Sequence, residues 1–167
     1  MRSPGYFAER HGLVVIIALG ESLASVGAGV GALPVSVPVL AAALLGLALT
    51  VCLWLLYFRG VAPATERRLG ELQGTARAWL ARDAGTFLHF PLIAGVIYIA
   101  LGIGEVLAHV SSPNARDPAA PLGWLPLIAL YGGVAIYLAG RTAILRRASH
   151  STSTVIRLLL DARTRHR

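Results

Sequence analysis

The sequence predicts an all-α polytopic membrane protein, with four transmembrane helices in an antiparallel bundle and both termini cytoplasmic. Three observations carry this expectation. Of the 167 residues, 56% are hydrophobic and only 14% charged, with a mean hydropathy of +0.67, a balance foreign to a soluble domain of this length. Four runs reach the roughly 20 mostly apolar residues that cross a bilayer as a helix: Gly12–Leu33, Val35–Phe58, Ala84–Val110 and Leu122–Leu145. Threading these runs alternately through a membrane collects 14 of the 15 arginines on one side. The positive-inside rule makes that side cytoplasmic. Backbone amides in hydrocarbon must be satisfied within their own segment, so unbroken apolar runs of this length are helices.

The connections give the order of packing. Pro34 to Pro38 is a tight, uncharged link that forces the first two spans into an antiparallel hairpin. The second connection, Arg59 to Asp83, carries Arg59, Arg67, Arg68, Arg77 and Arg82. The third, Ser111 to Pro121, is rich in proline, serine and asparagine and holds Arg116. Residues 1–148 thus form the four-span domain, and 149–167 a basic cytoplasmic tail. Within the tail, Val155 to Arg163 puts apolar residues on one side and arginines on the other, which reads equally as a short helix on the membrane surface or as a frayed end.

All the basic residues are arginine, so the net charge of +7 is fixed rather than tunable by a shifted ammonium group. The arginines lie between and after apolar runs, without the interleaved aromatics of a nucleic-acid groove. The expected partner is therefore the lipid bilayer, and no nucleic acid. The single cysteine, Cys52, can form no internal disulfide and is expected to be a small buried hydrophobe. Glu21 lies within what could pass for a signal peptide, and the apolar run continues past it to Leu33, so the first span is read as uncleaved.

Glu21 is the leading candidate for function. An ionisable side chain at bilayer depth costs at least about 2.5 kcal/mol unless something compensates it. Glu21 lies about 15 Å deeper than His11 along the helix, with Ser22 beside it and Glu9, Arg10 and His11 at the inner membrane surface. Gly20, Ala24, Gly27 and Gly31 form a stripe of small residues that lets another helix approach closely. Two readings stay open for Glu21: a carboxyl that takes up and releases a proton or cation, and a structural carboxyl that pairs helices. A weak internal echo links Ile17-Ala-Leu-Gly-Glu21-Ser-Leu-Ala24 with Ile99-Ala-Leu-Gly-Ile-Gly-Glu105-Val-Leu-Ala108. A duplication of this kind would make the chain two parallel hairpins.

In the third span, Pro91, Ala94, Gly95, Tyr98, Gly102, Glu105 and His109 fall on one helical face. Glu105 and His109 are one turn apart and could share a proton or a metal, but two ligands are too few for a metal site, and a solvated pair at the outer interface is the expectation. His89 lies about 160° around the helix from Glu105 and two residues before Pro91, which removes an amide and can kink the helix. His89 is expected to bond a carbonyl freed there or to lie at the interface. Trp54, Tyr57, Trp79, Trp124, Tyr131 and Tyr137 read as an aromatic belt. Gly133 and Gly140 are seven apart in the fourth span, and Arg141 after them is expected to snorkel to the interface. No glycine-rich phosphate loop, G-x-S-x-G, H-E-x-x-H or close catalytic carboxylate pair occurs, so no enzymatic role, cofactor or metal is expected.

Tyr6-Phe-Ala-Glu9-Arg10-His11-Gly-Leu, followed by Ile16-Ile-Ala-Leu-Gly20-Glu21-Ser22, resembles the segment that marks the bacterial low temperature requirement A (LtrA) family of membrane proteins. Trp54-Leu-Leu-Tyr57-Phe58, Leu88-His89-Phe-Pro91-Leu-Ile-Ala-Gly95 and Ala100-Leu-Gly102 are similar to that family in the expected order. The resemblance covers the C-terminal half of a typical member, whose earlier spans carry a Glu-Leu-Phe-Phe-Asp kind of motif that does not occur here. It implies a multi-pass protein of the cytoplasmic membrane that self-associates or pairs with an N-terminal half. The family name records a growth phenotype in the cold and implies no biochemical activity. The functional expectation is proton or small-solute translocation through a polar interior centred on Glu21, with Glu9, Arg10, His11 and His89 shaping its inner access. The alternative is a structural or adaptor protein whose polar residues pair helices.

Overall fold

A computed structural model describes residues 4–31, 36–111 and 121–165. The chain is all-α, with α1 (Pro4–Gly31), α2 (Val37–Leu56), α3 (Ala62–Glu71), α4 (Gly74–Arg82), α5 (His89–Ser111) and α6 (Trp124–Arg165). A π-helical turn, Tyr57–Val61, joins α2 to α3, and a second, Asp83–Phe87, leads from α4 into α5. Among the described residues, these elements make four long helices. Among the described residues, Val37–Glu71, Gly74–Ser111 and Trp124–Ala148 are long and apolar enough to cross a membrane. Helix α1, with 28 residues, is about 42 Å long and carries the shorter apolar stretch Gly12–Glu21.

The two π turns have a common cause in proline. Proline donates no amide hydrogen, and its ring crowds the carbonyl four residues back. That carbonyl belongs to Arg59 for Pro63 and to Phe87 for Pro91, and each lies inside a π turn. Widening the turn by one residue shifts the bonding so that the Leu88 amide reaches Asp83 O at 3.0 Å. The proline effect expected at Pro91 is thus absorbed as a π turn. The connection read between the second and third spans is itself mostly helical, because α3 and α4 extend the spans on either side. Val37–Glu71 has 35 residues and Gly74–Ser111 has 38, about 52 and 57 Å, well beyond a hydrocarbon core of about 30 Å. Only Leu72 and Gln73 separate α3 from α4, and Gly74 takes a positive φ of 59° to reverse the chain. The tail continues α6 as far as Arg165; the side chains of 149–165 lie outside the described residues.

Helix α5 is the centre of the bundle, packed against α1, α2 and α6. Leu92, Val96, Ile99, Ile103 and Leu107 are buried along it at spacings of three and four, meeting Val15 and Leu19 of α1 and Val39 and Leu53 of α2 in one core. Its tightest contact is with α6. A Cβ added to Gly95 would stand 2.7 Å from Gly133 O, and one added to Gly133 would stand 2.8 Å from Gly95 O. One turn or two along in opposite directions, Gly102 abuts Leu130 and Gly140 abuts Pro91, so the helices run antiparallel on a glycine seam. Large apolar side chains such as Ile17, Leu44, Leu45, Phe90, Ile97 and Ile128 point outward. Small residues inside and large apolar ones outside are the pattern of a bundle whose solvent is lipid, where close backbone packing rather than the hydrophobic effect holds helices together.

Candidate functional site

Glu21 and Glu105 line one groove. It runs between α1 and α5, has a volume of about 660 Å³, and is walled mostly by aliphatic groups, among them Val14, Ile17, Ile93 and Ile97. The two echoing segments thus lie side by side. Helix periodicity brings this about: Val14, Ile17, Ala18 and Glu21 recur every three or four residues on α1, as do Ile97, Ala100, Leu101, Gly104 and Glu105 on α5. Glu21 is exposed at the edge of the four-helix unit and Glu105 is half-buried. Arg68, Arg82 and Arg147 pair with Glu71 and Asp83, and none of them reaches Glu21. A carboxyl pair between apolar walls can hold and pass a proton or bind a cation, and it can also anchor a donor from a further helix.

Arg10 is exposed on α1. Glu9, His11 and Ser22 lie on α1, and their side chains fall outside the described residues. The face read on the third span divides: Pro91, Gly95 and Gly102 meet α6, Tyr98 is exposed, and Glu105 turns to the groove with α1. His109 is half-buried, and its Nε2 is buried with no hydrogen-bond partner. Among the described residues, no group of three or more His, Cys, Asp or Glu side chains is placed to hold a metal ion.

His89 belongs to a second polar cluster, apart from the groove. It is only 4% exposed, and its Nε2 lies 2.9 Å from Tyr57 Oη, which is 1% exposed. Which of the two supplies the hydrogen depends on the His89 tautomer. This histidine faces Tyr57 in the bundle interior and is not among the residues that line the groove of Glu21. Tyr137, also fully buried, donates from its hydroxyl to Leu53 O at 2.8 Å, and Arg141 Nε donates to Leu56 O at 3.4 Å. Side chains from α5 and α6 thus tie down the end of α2 where the π turn begins.

This cluster corrects three expectations. Tyr57 and Tyr137 are interior hydrogen-bonding residues; Trp54, Trp79, Trp124 and Tyr131 remain exposed as belt residues do. Arg141 does not simply snorkel: it is half-buried against α2, where Gly60 leaves room for it, a Cβ there standing 3.1 Å from Nη2. Cys52 is exposed on α2 rather than buried, because that face of α2 is turned outward.

Four long helices, outward apolar faces and a small-residue seam define a polytopic α-helical membrane protein. Residues 1–163 match the family described as Bacterial low temperature requirement A protein (LtrA), and the chain belongs to that family. No curated protein and no solved structure matches it.

Proposed function

We propose that this chain is a non-enzymatic, multi-pass protein of the cytoplasmic membrane that passes protons or a small solute along a carboxyl-lined path centred on Glu21. The observation that carries the reading is the shared groove of Glu21 and Glu105 between α1 and α5. Two carboxyls held between aliphatic walls are costly to keep without a use for their charge. Both termini and the α3–α4 hairpin lie on the cytoplasmic side in this reading, which puts 14 of the 15 arginines there. Glu21 is exposed at the rim of the four-helix unit, so the path takes its missing wall from a second copy or from an N-terminal half. No cofactor enters the reading.

The same exposure favours one other reading, a structural or adaptor role in which Glu21 pairs the groove with a further helix. Purified protein in proteoliposomes separates the two. On the transport reading, Glu21→Gln removes pH-dependent flux and leaves insertion and oligomer size unchanged. On the adaptor reading, it changes oligomer size or detergent stability, with no flux in either protein.

A further inference from the structure

Away from the carboxyl groove, α3 and α6 enclose a cavity of about 510 Å³ at the arginine-rich ends of the spans. Arg67, Arg68, Arg141 and Arg146 line it, with Glu71 and Thr142. Four guanidinium groups against one carboxylate leave a strong excess of positive charge. Arg68 is the unusual member. It is only 5% exposed, its Nη1 donates to Glu71 Oε2 at 2.5 Å, and its Nε and Nη2 have no hydrogen-bond partner. A buried cation with unmet donors is destabilising until an acceptor arrives. Arg67 Nε donates to Pro63 O and Arg141 Nε to Leu56 O, which uses one of the five donors that each guanidinium carries.

The cavity adjoins a second hollow through Arg141. This one, about 460 Å³, is walled by Cys52, Leu55 and Leu56 of α2, with Arg59 at its end. A guanidinium cluster matches the oxygens of a phosphate, and an apolar trough beside it on the outward face of α2 matches an acyl chain. The two together favour a phosphate carried by a lipid over a free ion.

We propose that the arginine cavity between α3 and α6 binds the phosphate of an anionic phospholipid headgroup, whose acyl chain lies along the Cys52–Leu56 trough. The site is independent of the carboxyl groove and stands whether or not the chain transports anything.

Native mass spectrometry of the full chain, titrated with phosphatidylglycerol or phosphatidylcholine in detergent, tests this. Phosphatidylglycerol should bind at a concentration about tenfold lower than phosphatidylcholine, and both Arg68→Gln and Arg67→Gln should weaken it about tenfold, the loss of a charge-assisted hydrogen bond. Arg67 is exposed, so Arg67→Gln gives the reading even if Arg68→Gln does not fold. Arg82→Gln removes the same charge from an exposed side chain outside the cavity and should leave binding unchanged. Equal weakening by Arg82→Gln would show diffuse surface attraction and overturn the site. Displacement of phosphatidylglycerol by millimolar inorganic phosphate would assign the cavity to the free ion and overturn the lipid.

Discussion

Tyr57 Oη and His89 Nε2 meet at 2.9 Å in a fully buried contact between the π turn after α2 and the first turn of α5. Interhelical hydrogen bonds in membrane proteins contribute about 0.6 kcal/mol on average and up to about 1.7. Tyr57→Phe removes this partner from a buried imidazole and should destabilise the protein by about 1 kcal/mol. Tyr137→Phe should cost less, because Leu53 O, which accepts the Tyr137 hydroxyl, also accepts the Tyr57 amide. Thermal unfolding in detergent checks the order; a Tyr137→Phe variant the weaker of the two would contradict it.

The glycine seam makes a sharper stability prediction. A Cβ at Gly95 would overlap Gly133 O and the Tyr137 backbone at 2.7 and 2.8 Å, and backbone yields less readily than the tip of a side chain. Gly95→Ala should therefore lower stability by about 1–3 kcal/mol, the usual cost of overpacking. Gly104, on the same helix, has nothing within 4 Å of its added Cβ. Gly104→Ala should be neutral or slightly stabilising through helix propensity. Comparable losses for the two variants in a chemical or thermal unfolding series would refute the seam.

Cys52 gives a label-free-background test of how α2 sits. It is the single cysteine of the chain and is exposed on an outward face between apolar neighbours. In intact cells it should resist both a membrane-permeant maleimide and a charged, impermeant one, because addition needs a thiolate and apolar surroundings withhold it. Efficient labelling by the impermeant reagent would place this face of α2 in water.

Much of the architecture is legible in the sequence, for a reason the residues make plain. Helices that must satisfy their own amides in hydrocarbon announce themselves by length, and small residues such as Gly133 and Gly140 mark where backbones touch. Rotation about each helix axis is harder to read. A membrane helix is apolar on all sides, so apolar character does not separate a lipid-facing side chain from a buried one. Cys52 is the example, outward where a buried position was expected. Tyr57 and Tyr137 show the same difficulty for aromatics: their depth near span ends matches an aromatic belt, but their rotation carries them inward, where their hydroxyls find His89 and Leu53 O. Pro63 was the available signal for the first π turn. At the candidate site, Glu21 was legible from its cost in lipid, and the echo around Glu105 was the clue to its neighbour in the groove. Arg68 was not, since burial of one arginine in a basic connection depends on how α3 packs on α1 and α6.

A proton-flux measurement shows whether Glu21 and Glu105 act in one groove. Wild-type protein, Glu21→Gln, Glu105→Gln and the double variant would be reconstituted in proteoliposomes and the collapse of an imposed pH gradient followed. Collapse is expected from the wild type, with strong loss in each single variant and no further loss in the double variant, because residues on one path are not additive. Equal flux from the wild type and the double variant, with all four proteins inserted, would contradict it.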